Sequence, residues 1–405
     1  MPFAPHARHL TPCRVTVDEM SNGGDKKPSG FDRRDFLSIG GLGAAGLFCT
    51  LTAKDVPNLS RRDVAAIDSA AASLKKPKGA VAHAARLKAG TKGAAAPDPI
   101  DAYEFGTPEP QEGGNIAEYW IQATTVLWDV IPTRFDSWMG MKQRRVRFKA
   151  LCYQEMESGF SGPKQYEDGS FAQPTMPGPT IEANVGDTIQ VHFRNNDFDT
   201  LQPVTMHPHG VRYTPDYDGT YLSDFTRAGG FIAPGEEFTY TWECLPSSVG
   251  VWPYHDHGPN HVLNTTRGLF GTIIIRDPGA PKPDRDYFLH LHSLPSSITR
   301  SPSMLHCING RSFAGNTPTM RAVEGEEVAM HVIDMNNDWH TFHLHGHRWA
   351  DGSGKFIDSP TVGPSEVITA RFREDNPGRW LYHCHVASHM AAGMTGWYMV
   401  ERAAT

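Results

Sequence analysis

No apolar run in this 405-residue sequence is long and strong enough to span a bilayer, which sets aside an integral membrane protein. Positive charge is also short over the main body. After residue 100, 23 Lys and Arg stand against 36 Asp and Glu, a balance of −13 that argues against nucleic acid as a partner. The first hundred residues run the other way, with 15 basic against 9 acidic side chains. Cysteine is scarce, at six. Cys13 and Cys49 fall in the N-terminal region and Cys384 lies among histidines. Cys152, Cys244 and Cys307 then allow one disulfide at most, and sequence decides neither which nor whether one forms. Aromatic residues thin out between Lys54 and about Gln111, where Ala, Lys, Pro and Gly dominate, the composition of a linker and not of a core.

Hydrophobic residues, at 39%, still suffice for packed cores, so a wholly disordered chain is excluded. At about 100 to 200 residues per domain, two or three domains fit. The segment Arg33-Arg34-Asp35-Phe36-Leu37, with an uncharged Gly- and Ala-rich stretch to Ala53, resembles a twin-arginine export signal. It implies export to the periplasm or the exterior of a bacterial cell. Residues 1–53 are therefore read as a signal region and 54–114 as a low-complexity linker, in which residues 60–74 suit a short helix. Met20 makes a more ordinary start than Met1, and no clean Ala-x-Ala precedes Lys54, so start and cleavage site stay open.

From about residue 115 short β-rich runs alternate with Gly, Pro and Asp/Asn turns, the pattern of antiparallel β-sandwiches. Thr180 to Arg194 (TIEANVGDTIQVHFR) and Met320 to Asp334 (MRAVEGEEVAMHVID) both read strand, Gly-Asp/Glu turn, strand. Met206 to Gly210 (MHPHG) falls on Phe342 to Gly346 (FHLHG), and Tyr254 to His261 (YHDHGPNH) on Tyr382 to His389 (YHCHVASH). The chain is an internal duplication, with domains over 115–280 and 281–405. The copies differ where it matters: Cys384 is matched by Asp256, Met394 by Thr266 and His340 by Val204.

Twenty histidines are the unusual presence. On a strand, residues i and i+2 share a face. His207 with His209, His255 with His257, His343 with His345, and His383 with His385 can each present two imidazoles to one side. Cys384 must then face the other way, as does His340, while His389 and Met394 lie in a turn that can curl back toward Cys384. Two His, one Cys and one Met are the ligand set of a blue copper centre, in which the soft thiolate selects copper. Eight imidazoles without a carboxylate or second Cys suit further copper ions. Zinc is the competitor, but its chemistry needs three or four ligands and gives no reason for twelve.

Met206 to Tyr213, Tyr254 to Gly271, His340 to Asp351 and Trp380 to Gly396 resemble the copper motifs of the multicopper oxidases, specifically the two-domain (small) laccases. The likeness covers roughly residues 115 to 402. It implies an all-β chain of two cupredoxin-like Greek-key sandwiches and about four copper ions. Type 1 copper would take His340, Cys384, His389 and axial Met394. Type 2 would take His207 and His343, and the type 3 pair His209, His255, His257, His345, His383 and His385. Substrate electrons would pass one at a time through the type 1 ligands, and dioxygen would be reduced to water at the trinuclear cluster. With ligands split four and four between the halves, the resemblance implies a homotrimer that pairs one subunit's first domain with its neighbour's second. Asp218 and Asp358 sit where that group has acidic residues near the cluster, and Tyr213 where it has a tyrosine. Asp218 precedes Gly219 and also suits a plain turn. Asp256 is read as a structural acceptor, His261 as a relic or a support, and His290 with His292 as strand positions.

The reading is thus a laccase-like, copper-dependent oxidoreductase that oxidises phenols or aromatic amines with dioxygen. A rival is a metal-ion oxidase for copper, iron or manganese tolerance, although the 14 Met form no dense Met-rich insert of the kind that favours cuprous ion. A copper nitrite reductase also has two cupredoxin domains, but carries its blue site in the first, where this chain has Asp256. A non-catalytic copper carrier fits poorly with a chain that keeps both a blue site and eight cluster ligands. The physiological substrate and the redox potential cannot be read from sequence.

Overall fold

The computed structural model describes residues 107–108, 110–335 and 337–403. The signal-type segment, the helix-compatible stretch at 60–74, most of the linker, and Cys13 and Cys49 lie outside the described residues. The end of the linker already touches the fold, where Thr107 Oγ1 lies 2.7 Å from the Tyr217 hydroxyl.

Strand periodicity is met by two sandwiches of two sheets each. In the first, one sheet runs Arg147–Met156, Ile116–Asp129, Thr188–Asn195, Glu237–Glu243, and the other Thr180–Asn184, Phe270–Arg276, Gly250–His255, His207–Pro208. The second repeats this order: Leu305–Ile308, Arg285–Leu294, Glu327–Asp334, Val367–Arg373, facing Thr319–Val323, Thr395–Glu401, Gly378–Cys384, His340–Leu344, with Thr361–Val362 added at the edge. The duplication read from sequence is therefore a duplication of topology. The all-β expectation holds, with one correction. The sheets are mixed, because the strands on either side of Gly186-Asp187 pair in different sheets, each alongside a parallel neighbour. The turn carries the chain across the sandwich instead of folding it back as a hairpin.

A cross-strand triad appears in both copies. His192 bridges Glu118 (2.8 Å) and Thr239 (2.9 Å) over the ring of Trp120, and His331 bridges Asp286 (2.8 Å) and Thr369 (2.9 Å) over Phe288. These histidines are consumed by packing.

Each sandwich encloses its own core, around Trp242 and Tyr254 in the first and Phe342 and Tyr382 in the second. A third core lies between them, where Trp128, Ile131, Cys152 and Phe270 meet Leu294, Cys307 and Ile333. The buried Ile, Leu and Phe side chains among these each contribute about 1.5–3 kcal/mol. Trp128 donates to the Gly310 carbonyl at 2.6 Å, with the Arg311 guanidinium 4.1 Å over its ring. His290 and His292 are strand residues in this seam, beside Phe270. Cys152, Cys244 and Cys307 are free and buried, and burial pushes each thiol up to about 12. The disulfide left open by the sequence does not form.

Candidate metal centres

Strand His340–Leu344 pairs antiparallel with Gly378–Cys384, setting Phe342 opposite Cys384 and His343 opposite His383. Alternation turns Phe342 and Cys384 into the core and the histidines outward. After Cys384 the chain makes a short helix, Ala387–Ala391, and returns through Gly393. The Met394 carbonyl then accepts the Cys384 N–H at 3.1 Å, and the Met394 N–H donates to the His389 carbonyl at 3.1 Å. This closure brings Cys384 Sγ to 3.6 Å from His340 Nδ1 and 3.7 Å from His389 Nδ1, with the two nitrogens 3.1 Å apart. Met394 is buried in the same core cluster. His389 keeps 6% exposure, whereas His340, Cys384 and Met394 keep none.

The other imidazoles form two matched sets. In the first sandwich His207, His209 and His255 converge, in the second His343, His345 and His383. His209 Nε2 lies 3.0 Å from His255 Nε2, and His345 Nε2 lies 3.1 Å from His383 Nε2. His257 and His385 stand beside their sets, with ring centroids 5.1 and 5.4 Å from His207 and His343. Main-chain carbonyls fix the ring orientations. Asp218 holds His207 Nδ1 (2.7 Å), Asp358 holds His343 Nδ1 (2.9 Å), Asp256 holds His255 Nδ1 (2.9 Å) and Cys384 holds His383 Nδ1 (2.9 Å). In each of these rings Nε2 is left as the ligand atom. The glycine closing each His-x-His-Gly has φ near +74°, and a Cβ there would strike the ring of Trp252 (Gly210) or Trp380 (Gly346). Among the described residues, each group of three or more convergent ligand atoms draws on one sandwich alone.

Tyr213 stands edge-on to His207, at 5.8 Å, and shares a hydrogen bond with the Asp218 carboxylate, one Oδ of which is 3.2 Å from His207 Nδ1. Burial, then Asp218, raises the Tyr213 hydroxyl. Burial pushes the Asp218 carboxyl up, but His207 and Thr220 outweigh it and hold it below the ordinary value. The turn that Gly219 suggested is also present, so both readings of Asp218 apply. Asp358 is exposed, and its contact with His343 runs through its carbonyl. His261 stacks on His257 at 4.7 Å and acts as a support.

Sequence reasoning left three neighbours without a role. His306 stacks on His389. Asp338 Oδ2 lies 3.6 Å from His389 Nε2. His347 pairs with buried Glu374 at 3.0 Å while its Nδ1 holds the His345 carbonyl at 2.8 Å. Their signal was weak: His306 and Asp338 lie outside the repeated motifs, and His347, although inside one, has Val211 at the matching position of the first half.

The donor chemistry fits copper. Burial lowers His340, His209 and His383 to about 4 and His255 to about 3, so these rings are neutral and offer lone pairs at neutral pH. The His209 and His255 Nε2 atoms, 3.0 Å apart, share one proton as neutral rings and are close enough to share one metal ion once that proton is lost. Burial also raises the Cys384 thiol, so its thiolate form needs a cation beside it. Two His, a Cys and a Met in one buried knot, with imidazole sets elsewhere, suit copper and not a four-ligand zinc site.

Twin cupredoxin-like sandwiches with a Cys-His-His knot in one and imidazole sets in both define a copper-protein fold with several candidate metal sites. Two family models, each described as multicopper oxidase, match residues 164–280 and 280–404, and the chain belongs to the multicopper oxidase family. It is 31% identical over 244 residues to a "Probable nitrite reductase-hydroxylamine oxidoreductase fusion protein" of Kuenenia stuttgartiensis, covering 56% of this chain and 28% of that one. It is 25% identical over 343 residues to ferroxidase HEPHL1 of Mus musculus, covering 70% and 29%. The chain thus spans less than a third of these curated relatives. A crystal structure of a multicopper oxidase superposes with TM-score 0.56 at 22% identity, over 73% of this chain and 93% of its own, a likeness of fold.

Proposed function

We propose that the protein is a two-domain, laccase-like oxidase that couples one-electron oxidation of phenols or aromatic amines to reduction of dioxygen to water. The observation that carries this reading is the distribution of ligand groups: one Cys-His-His knot beside Met394, and two imidazole sets on separate sandwiches. Bound copper supplies one-electron acceptance at the knot and dioxygen reduction at the trinuclear site, and the chain supplies the rest. His389 is the knot ligand that reaches the surface, so donors meet its edge. Cys384 is covalently continuous with His383 and His385, a short route from one site to the other. Asp218 and Tyr213 hold a proton near His207.

Each imidazole set is partly open, and a second copy would complete it, which supports a homotrimer with the cluster at subunit interfaces. A twin-arginine leader would deliver the chain to the periplasm or beyond. A metal-ion oxidase is the second reading, supported by the Asp338 carboxylate beside His389 and by the ferroxidase relative. Nitrite reduction is disfavoured by Asp256 in the first sandwich. The test is to load the chain with copper, count the ions, and follow dioxygen uptake with a phenol and with ferrous ion, in wild type and Cys384→Ser. About four ions per chain, and phenol-driven uptake that the variant loses, are expected. One ion, or uptake indifferent to the substitution, refutes the reading.

A further inference from the structure

The duplication sets a physical question. In the second sandwich three segments, around His340, at Cys384 and at His389–Met394, converge on one buried point through metal-binding atoms. The same three segments exist in the first sandwich, where Val204, Asp256, His261 and Thr266 occupy those positions. No blue centre can form there, so something else must hold the segments together.

The structure supplies it. Asp256 is fully buried, and its carboxylate reaches the other two segments. Oδ1 accepts the Thr205 N–H at 2.7 Å, beside Val204, and Oδ2 accepts Asn264 Nδ2 at 3.0 Å, from the helix His261–Arg267 that carries the other two counterparts. The Gly258 N–H adds a further bond. The Thr205 contact and the Asp256 main chain lead on to imidazoles. Thr205 Oγ1 accepts the N–H of His257 at 3.0 Å, Thr205 lies two residues before His207, and the Asp256 carbonyl holds His255 Nδ1. A buried carboxylate with several donors is a strong pin, because removing it strands those donors away from water. A metal-free thiol, a weak acceptor, could not replace it.

We infer that Asp256 is a positioning residue that takes the place of the blue copper in the first sandwich, pinning by hydrogen bonds the segments that present His207, His255 and His257. This rests on the reading of those imidazoles as trinuclear ligands.

The test uses full-length, copper-reconstituted chain and three readouts: copper per chain, the visible thiolate–copper band, and the type 2 signal in electron paramagnetic resonance. In Asp256→Ala the copper count falls from about four toward about one, and the type 2 signal disappears while the thiolate–copper band keeps its intensity. Asn264→Asp alone sets two carboxylates against each other and gives the same loss. The double variant Asp256→Asn with Asn264→Asp reverses donor and acceptor and restores both count and signal, which a purely bulk loss of stability would not allow. If Asp256→Ala does not fold, as a missing thiolate–copper band would show, the swapped pair decides. A full copper count and unaltered type 2 signal in Asp256→Ala, or a folded swapped pair that fails to recover, overturns the inference. A wild-type chain without trinuclear signals overturns the functional reading instead.

Discussion

His306 lies face to face with His389, ring centroids 4.0 Å apart and planes 16° apart. Ser293 Oγ holds His306 Nδ1 at 2.7 Å, so the stack is fixed from behind. An aromatic pair of this kind contributes about 0.5–1.5 kcal/mol beyond its burial. Here it sets the plane of the one knot ligand that meets solvent. His306→Ala is expected to shift the visible band and copper hyperfine splitting of the knot, whereas His306→Phe, which keeps the stack, leaves both close to wild type. Identical spectra for Ala and wild type would remove this role.

The division of imidazole sets between sandwiches predicts complementation. A chain with His207 and His209 changed to Ala, and one with His343 and His345 changed to Ala, should each reduce no dioxygen. Co-refolded in equal amounts as trimers, they should recover about one quarter of wild-type uptake, because about one interface in four joins two intact sets. A mixture as inactive as its parts would place the cluster within one chain.

His347 and Glu374 form a buried pair with a pH signature. Burial pushes His347 down, but Glu374 outweighs it and raises the imidazole above 6.5. Burial pushes Glu374 up, but His347 and Tyr398 outweigh it and hold the carboxyl below 4.5. The histidine contribution is complete below pH 6.5 and fades as pH rises through its folded value. The glutamate contribution is complete above pH 4.5 and fades as pH falls through its folded value. The pair therefore stabilises most between these two ordinary values. Glu374→Gln should cost about 3–5 kcal/mol there, and less at higher pH, in denaturant titrations.

Gly219 carries φ +73°, and a Cβ on it would stand 2.1 Å from the Met206 carbonyl oxygen. Left-handed strain in Gly219→Ala costs about 1–3 kcal/mol, and the clash pushes away the Asp218 carbonyl that orients His207. The expected result is loss of the type 2 signal, and of about one ion per chain, with the thiolate–copper band intact. Retention of that signal would show that His207 does not depend on this turn.

Much of the site was legible because its chemistry is written in short, local spacings. His-x-His on a strand fixes which rings share a face, and His383-Cys384-His385 fixes that the thiol opposes them. The supporting contacts were not legible. Ser293, His306 and Glu374 reach the histidines from remote segments, and Asp338, though two residues before His340, meets His389 across the fold. Asp256 was legible as a structural acceptor, but not which donors it would take: Thr205, Gly258 and Asn264. The carbonyls of Asp218 and Asp358, which orient type 2 candidates, are groups that every residue has, so only folding could select them.

By itself the sequence determined the two-fold repeat, the all-β class and the identities of twelve candidate ligands, since periodicity and side-chain chemistry are properties of a few adjacent residues. Only the tertiary structure decided that the strands flanking Gly186-Asp187 part into different sheets, that Cys152, Cys244 and Cys307 remain free thiols, and that the two sandwiches share a third core. It also decided that the buried Asp256 carboxylate ties Thr205 and Asn264 together in the first sandwich. Those outcomes depend on which distant segments come within a few ångströms of each other, and local pattern does not encode that distance.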